Sequence, residues 1–188
     1  AHEAAELLSQ YLKIDTTNPP GNEMGGVDFF ARIFEKEGIV YKTYEASAGR
    51  GTIKAVIPGT GEKGAIILLN HIDVVPARAD EWSVHPFSGE VNDGFIYGRG
   101  ALDMKGQGIL ELLAFLEVKR KELTPCRDII FLAVADEEAG GQNGVAYLLN
   151  KYPDDFQADL VINEGGFGVH NLVPERPLFM ISTAEIGR

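Results

Sequence analysis

Apolar residues follow a helical spacing in two segments near the start of the chain. They recur at this spacing over residues 7–12 and again over residues 27–34, and the second run stops before Gly38, which suits the C-terminal end of a helix. The link between the two runs, residues 16–21, contains two prolines and a glycine and cannot continue a helix. The pattern predicts two amphipathic helices, followed by short strands at residues 39–45 and 52–57.

Farther along the chain, three segments are continuously apolar, as in strands that are covered on both faces. They are residues 65–70, 128–135 and 160–163. A helical pattern at 109–116 separates the first two strands, and another at 145–149 separates the second from the third. This alternation predicts an α/β domain whose mostly parallel, twisted sheet is flanked by helices on both faces. The Asn-Asp-Gly triplet at 92–94 predicts a hairpin inserted after the first long strand.

Each of the three apolar strands ends in residues that can bind a metal ion. These residues are His71 and Asp73, then Asp136, Glu137 and Glu138, and finally Glu164. Ligands bind at the carboxyl ends of strands in open α/β sheets, so we expect the three groups to meet at one edge. Several carboxylates a few ångströms apart raise one another's pKa or require a cation. The sequence therefore predicts a pair of metal ions at this edge.

The available ligands are imidazole and carboxylate groups, which suit zinc and also cobalt or manganese. Two metal ions about 3.5–4 Å apart can hold both the nucleophile and the substrate carbonyl, and they require a bridging carboxylate. Asp103 is a candidate for this bridge because it lies in a glycine-rich turn, residues 98–106, just before the helical pattern at 109–116. Arg99 and Lys105, from the same turn, are expected to be ion partners of the clustered carboxylates.

Composition and charge narrow the classes of function. The 188 residues include 28 Asp and Glu against 17 Lys and Arg, which gives a net charge of −11 and disfavours nucleic acid as a partner. Cys126 is the only cysteine, so neither an internal disulfide nor a thiolate metal cluster is expected. The sequence shows no apolar run that suits a membrane span and no signal-peptide pattern. These features predict a soluble, cytoplasmic protein.

Four motifs occur in an order and spacing that resemble one enzyme family. They are His-Ile-Asp-Val-Val-Pro at 71–76, Gly-Arg-Gly followed by Asp-Met-Lys-Gly within 98–106, Asp-Glu-Glu at 136–138, and Asn-Glu-Gly-Gly at 163–166. Together they resemble the M20 metallopeptidase and deacylase family, which includes aminoacylase, acetylornithine deacetylase and succinyl-diaminopimelate desuccinylase. The likeness also extends to residues 82–89 and 16–21.

The resemblance implies a role for each charged residue of these motifs. His71 and Glu164 would bind one zinc ion, Asp103 would bridge the two ions, and Glu138 would bind the other. Glu137 would be the general base, taking a proton from a metal-bridging water and delivering it to the leaving amine.

The resemblance also implies how this centre is supported and completed. Asp73 would hydrogen-bond the second nitrogen of His71, and a cis peptide would follow Asp103. Residues 1–188 would be the first part of a zinc-exopeptidase-like catalytic domain, truncated before an inserted dimerisation domain through which the full-length protein forms a homodimer. A strand-like segment at 178–183 would lead to that insertion, and a histidine beyond it would complete the second metal site.

The function implied by the resemblance is hydrolysis of an amide or peptide bond in a small N-acylated amino acid or a short peptide. A two-zinc aminopeptidase is the alternative within enzymes. A metal-binding module, or a fragment without turnover, is the alternative outside them, although an intact Glu137 argues against it. His170 is interpreted as an ordinary loop histidine, with its participation in the second metal site left open.

Overall fold

The computed structural model describes residues 2–165, 167–173 and 176–180. Its α-helices are α1 (His2–Leu12), α2 (Met24–Lys36), α3 (Lys105–Arg120) and α4 (Val145–Lys151). Short 3-10 helices occur at Ala79–Glu81, Glu137–Ala139 and Pro153–Phe156. Within the described ranges, none of the helices combines the length and the apolar character needed to cross a membrane.

The strands form one central sheet and two separate hairpins. They are β1 (Tyr41–Glu45), β2 (Gly51–Ile57), β3 (Ile66–His71), β4 (Glu90–Asn92), β5 (Phe95–Tyr97), β6 (Ile129–Val134), β7 (Leu160–Ile162), β8 (Phe167–Val173) and β9 (Arg176–Met180). The central sheet has the order β1-β2-β6-β3-β7. Strand β3 lies parallel to both β6 and β7, whereas β2 is antiparallel to both β1 and β6. The predicted α/β architecture is confirmed, and its parallel part consists of the three continuously apolar strands.

One face of the central sheet is covered by α1, α2 and α3. Phe131 of β6 is fully buried at the middle of this layer, with ring centroids of Phe30, Phe34 and Phe115 at 5.0, 5.6 and 5.9 Å. Aromatic pairs at such distances add about 0.5–1.5 kcal/mol each beyond the area they bury. This packing fixes α3 against the sheet and thereby fixes the turn that precedes α3.

The opposite face of the sheet is covered by α4 and the short helix Pro153–Phe156. Leu148 and Phe156 pack there against Ile67, Ile130 and Leu132. Helices therefore cover both faces of β3 and β6, as predicted from the apolar runs, whereas the same prediction is wrong for β7, whose three residues are 47–56% exposed at the edge of the sheet. Because β3 and β6 are parallel neighbours, the polar residues that follow them lie together at the carboxyl edge of the sheet.

The two hairpins lie outside the central sheet. In the first, β4 and β5 are joined through Asp93 and Gly94 with φ of 50° and 82°, so the hairpin predicted from the Asn-Asp-Gly triplet is confirmed. In the second, β8 pairs with β9, which ends at Met180. The remainder of the predicted strand-like segment, residues 181–183, lies outside the described residues. The interpretation of His170 concerns a side chain that is also outside the described part, although its backbone belongs to β8.

Candidate metal centre

The carboxyl ends of the three parallel strands carry the candidate centre. His71 is the last residue of β3 and lies in register with Val134, the last residue of β6. Asp136 follows β6 with a left-handed φ of 70° and turns the chain into the short helix Glu137–Ala139. Glu164 follows the end of β7 by two residues. The three groups predicted to meet at one edge of the sheet do so.

His71 is buried with one ring nitrogen directed at carboxylates. Its Nε2 lies 3.1 Å from Oδ1 of Asp103, 3.4 Å from Oε1 of Glu164 and 3.9 Å from Oε2 of Glu137. Its Nδ1 lies 2.9 Å from the backbone carbonyl oxygen of Asp73 and 3.5 Å from that residue's Oδ1. An Nδ1–H that donates to Asp73 leaves the Nε2 lone pair free to bind a metal ion.

The turn before α3 presents Asp103 to the same point. The peptide from Asp103 to Met104 is cis, as the family resemblance implies. Met104 is buried, and its sulfur accepts a hydrogen bond from the backbone N–H of His71 at 3.2 Å. The Asp103 side chain is 63% exposed and so is accessible to a ligand. Met104 is thus anchored to β3, while the carboxylate of Asp103 lies against His71.

The interpretation of Arg99 and Lys105 as ion partners of these carboxylates is wrong. Lys105 is fully buried, and its Nζ donates to the carbonyl oxygens of Ile14 at 2.8 Å and Tyr11 at 3.4 Å, at the end of α1. Burial lowers the pKa of Lys105 to about 7. Arg99 lies over the ring of Trp82, with 5.3 Å between the guanidinium carbon and the ring centroid. Both side chains hold the turn to neighbouring elements.

Asp73 supports the segment that carries the two glutamates. Its Oδ1 accepts a hydrogen bond from the backbone N–H of Glu137, and its Oδ2 accepts one from that of Glu138, both at 3.1 Å. Asn18 donates a third, to Oδ2, at 2.7 Å. Burial alone would raise the pKa of Asp73, but the hydrogen bonds from His71 and Asn18 outweigh burial and lower it. Asp73 therefore stays ionised while it orients both His71 and the glutamates.

We expect Asp73→Asn in the full-length protein to weaken metal binding by about 10–100-fold, the range typical of groups that orient ligands. The substitution replaces one accepting oxygen by an NH₂ group that would face N–H donors on either side. Metal affinity should be measured by calorimetric titration. Asp15→Asn is the matched control, because Asp15 accepts hydrogen bonds from Thr17 in an exposed turn. Complete loss of metal would instead identify Asp73 as a ligand.

The charges of the centre fit a divalent cation. Burial lowers the pKa of His71, but Asp73 and Glu164 outweigh it and raise that pKa to about 9. Burial and the nearby Asp103 raise the pKa of Glu164 to about 7, against the opposing effect of His71, and they also raise the pKa of Glu138. In the absence of a cation, the cluster thus holds protons on groups that a metal ion would otherwise bind.

Two overlapping sets of side chains can each surround one metal ion. One consists of His71, Glu137 and Glu164, and the other of His71, Asp103 and Glu138, with ligand atoms in each set within 4.8 Å of one another. Imidazole and carboxylate donors suit zinc, cobalt and manganese. The chemistry of the donors and their convergence therefore fit a centre for one or two such ions.

Asn18 was missed as a supporting residue of the site. It donates to Oδ2 of Asp73 and also to Oδ1 of Asp136, at 3.1 Å. The only signal in the sequence was the position of Asn18 in the turn at 16–21. In the structure, the backbone N–H of Asn18 donates to the carbonyl oxygen of Val74, in the segment after β3. Asp136, grouped with the possible ligands from sequence, is buried and belongs to neither of the two sets found among the described residues.

The residues that form this centre fall within a segment that matches a known family. Residues 67–176 match peptidase family M20/M25/M40. The chain belongs to this family. The family resemblance drawn from the four sequence motifs is thereby confirmed, and His71, Asp103, Glu137, Glu138 and Glu164 all lie inside the matched segment.

Individual members of the M20 family are similar to most of this chain. Aminoacylase-1 of Sus scrofa is 38% identical over 159 residues, which is 84% of this chain and 39% of that protein. An N-fatty-acyl-amino acid synthase/hydrolase of Bos taurus is 41% identical over 128 residues, which is 64% of this chain and 25% of that protein. The structure of an M20 family metallo-carboxypeptidase from Sulfolobus solfataricus matches with a TM-score of 0.74 and 28% identity, covering 87% of this chain and 37% of that one. This chain thus spans two-fifths or less of the length of these relatives.

Proposed function

We propose that the full-length protein containing this chain is a zinc-dependent hydrolase of an amide or peptide bond in an N-acylated amino acid or a short peptide. The observation that carries the proposal is the convergence of His71, Asp103, Glu137, Glu138 and Glu164 at the carboxyl edge of the sheet. Two metal ions are proposed, zinc in the first place, with cobalt or manganese able to substitute.

The proposed division of ligands assigns one ion to His71 and Glu164 and the other to Glu138, with Asp103 between them. The short distances from Nε2 of His71 to Asp103 and Glu164 support the first site. Asp103 forms one set with His71 and Glu138, and it is also close enough to Glu164 to raise the pKa of that carboxyl, which supports a position of Asp103 between the two ions. When bound, such a pair lowers the pKa of a water molecule to about 7 and polarises the carbonyl of the scissile bond.

Glu137 is proposed as the general base. Its backbone N–H donates to Asp73, while its side chain is 52% exposed and so is accessible to a water molecule or a substrate. Its carboxylate would take a proton from the attacking water as the water oxygen bonds to the carbonyl carbon. The same proton would then pass to the nitrogen as the carbon–nitrogen bond breaks, so that the acid and the amine leave as separate products.

The names of the relatives support an acylated amino acid or a peptide as substrate. One is an aminoacylase, one acts as a synthase and hydrolase of N-fatty-acyl amino acids, and one is a metallo-carboxypeptidase. They favour deacylase or carboxypeptidase chemistry over that of an aminopeptidase. The homodimer, the cytoplasmic location and the treatment of residues 1–188 as part of one catalytic domain stay predictions.

The direct test is an activity screen of the full-length protein after loading with zinc or cobalt. Acetylated amino acids and dipeptides are the substrates, and release of the free amine is the measured product. We expect turnover on at least one class, its loss on treatment with a chelator, and its return when metal is added back. A protein that binds metal but turns over neither class would support the metal-binding module instead.

A further inference from the structure

A buried cluster of charged and polar side chains lies beside the proposed centre. It consists of Glu23 at the start of α2, Arg50 just before β2, Asp136 after β6 and Asn18 in the turn at 16–21. Each of these residues is at most 9% exposed. The proposed mechanism assigns no role to Glu23 or Arg50.

Arg50 joins two carboxylates from distant parts of the chain. Its Nε lies 2.9 Å from Oε2 of Glu23, and its Nη2 donates to Oδ1 of Asp136 at 2.5 Å. Its Nη1 donates to the carbonyl oxygen of Pro20 at 2.8 Å. Arg50 thus makes two hydrogen bonds, to Asp136 and Pro20, and an ion pair with Glu23 that lacks hydrogen-bond geometry. A guanidinium offers several donors in one rigid plane and can make these contacts at once, which a lysine ammonium at the same site cannot match in geometry.

The contacts of Arg50 and Glu23 hold Asp136 by both its side chain and its backbone. Oε1 of Glu23 accepts a hydrogen bond from the backbone N–H of Asp136 at 3.3 Å. Oδ2 of Asp136 in turn accepts from the backbone N–H of Asn143 at 2.8 Å and from its side chain at 3.0 Å. A left-handed φ at a residue other than glycine is unfavourable unless its surroundings fix it. These contacts fix it at Asp136.

The two residues after Asp136 are the proposed base and a proposed ligand. Glu137 and Glu138 donate their backbone N–H groups to Asp73, and Asn18 connects Asp73 to Asp136. The turn is therefore held by Asp73 on one side and by Arg50 on the other. Arg50 is the permanent cation that contacts the buried carboxylates of Glu23 and Asp136, and carboxylates buried without such a partner are strongly unfavourable.

We propose that Arg50 is a positioning residue of the hydrolytic centre, which fixes the Asp136 turn and thereby places Glu137 and Glu138. Its effect on turnover rests on the proposed function. Its effect on metal binding does not, because the Glu138 carboxylate must be placed whether or not the bound metal supports hydrolysis.

The test is Arg50→Lys in the full-length protein. The lysine keeps the positive charge but cannot hold Glu23 and Asp136 in the same plane, so the turn should shift. We expect kcat to fall by about 10–100-fold with little change in KM, because a misplacement of about 1 Å is enough for an effect of that size. We also expect the metal site that contains Glu138 to bind about 10–100-fold more weakly in calorimetric titration.

Arg120→Lys is the matched control. Arg120 also joins two carboxylates, those of Glu3 and Glu37, at 2.7 and 2.6 Å, but on the surface where α1, α2 and α3 meet. Its replacement should leave kcat and both metal affinities unchanged. The double variant Arg50→Lys, Glu137→Gln separates positioning from general packing. If Arg50 acts on turnover through Glu137, the second substitution should remove most of the effect of the first on kcat.

The outcomes separate this proposal from the proposed function. If the unaltered protein binds metal without hydrolysing any substrate, the proposed function fails, and weaker metal binding in Arg50→Lys but not in Arg120→Lys still supports positioning. If Arg50→Lys does not fold, Glu23→Gln removes one of the two ion pairs of Arg50, the one with Glu23, with little change of shape and should shift metal affinity in the same direction. A folded Arg50→Lys protein with unchanged kcat and unchanged metal affinities would overturn the proposal.

Discussion

Glu137→Gln in the full-length protein is expected to retain both metal ions while kcat falls by about 10²–10⁴-fold, the usual contribution of general acid–base catalysis. The amide has nearly the shape of the carboxylate but cannot accept the proton of the attacking water. The backbone N–H of residue 137 still donates to Asp73, so the local structure should persist. The measurements are metal content by mass spectrometry and amine release from an acylated amino acid that the unaltered enzyme hydrolyses.

The same variant distinguishes a base from a ligand. Glu137 lies 3.9 Å from Nε2 of His71 and belongs, with His71 and Glu164, to one of the two sets that can surround an ion. If it is a ligand, Glu137→Gln should lose metal together with activity. Glu138→Gln is the matched control, since it changes the neighbouring residue in the same way and is expected to lose one ion. Full turnover of Glu137→Gln with both ions bound would refute the assignment.

The centre could be located from sequence because its residues follow continuously apolar strands. The runs that end before His71, Asp136 and Glu164 identified the three parallel strands, of which β3 and β6 are buried and β7 is exposed, and parallel strands necessarily bring their carboxyl ends to one edge. The contact of Asp103 with this edge did not follow from any strand. It was suggested by the glycine-rich turn before the helical pattern at 109–116 and by the likeness of that turn to a family motif, and the structure places the Oδ1 of Asp103 beside His71.

Strand direction was the less predictable part of the fold. The burial of β2 resembles that of a parallel strand, because a run of buried residues indicates that a strand is covered but does not indicate its direction. The five residues between β1 and β2 do carry the information, since a connection this short can join antiparallel strands but cannot form a parallel crossover. The predicted parallel sheet is therefore extended at one edge by an antiparallel pair.

The supporting side chains could not be inferred because their partners are remote in sequence. Arg50 lies between two glycines, like a surface turn residue, yet its carboxylate partner Asp136 is 86 positions away. Lys105 lies beside the candidate bridge, like an ion partner, yet its acceptors are carbonyl groups at the end of α1. The spacing of neighbouring residues in the sequence predicts neither the burial of Arg50 and Lys105 nor the identity of their partners. Both depend on how α1 and α2 pack over the sheet.

The ligand assignment leads to a further expected result, which concerns the shared carboxylate. Asp103→Ala in the full-length protein should lose both metal ions and all measurable hydrolysis. Glu164→Ala should lose the ion bound with His71, but it should bind the other ion more tightly than Asp103→Ala does. Removing a ligand should weaken binding by more than the roughly 10–100-fold typical of groups that only orient ligands. Because Asp103 is 63% exposed and its neighbour Met104 holds the turn to β3, the alanine variant should stay folded.

Zinc titration of the unaltered protein and of both variants, with thermal unfolding as a check of folding, measures this difference. Asp80→Ala is the control for loss of an exposed aspartate, since Asp80 pairs with Arg78 at the surface. A bridge interacts with two cations at once, so its removal weakens both sites and leaves the remaining carboxylates to repel one another without sufficient counter-charge. A terminal ligand affects one site directly. If Asp103→Ala and Glu164→Ala each lost a single ion, Asp103 would be a ligand of one ion only. The turn before α3 would then not supply a bridging carboxylate.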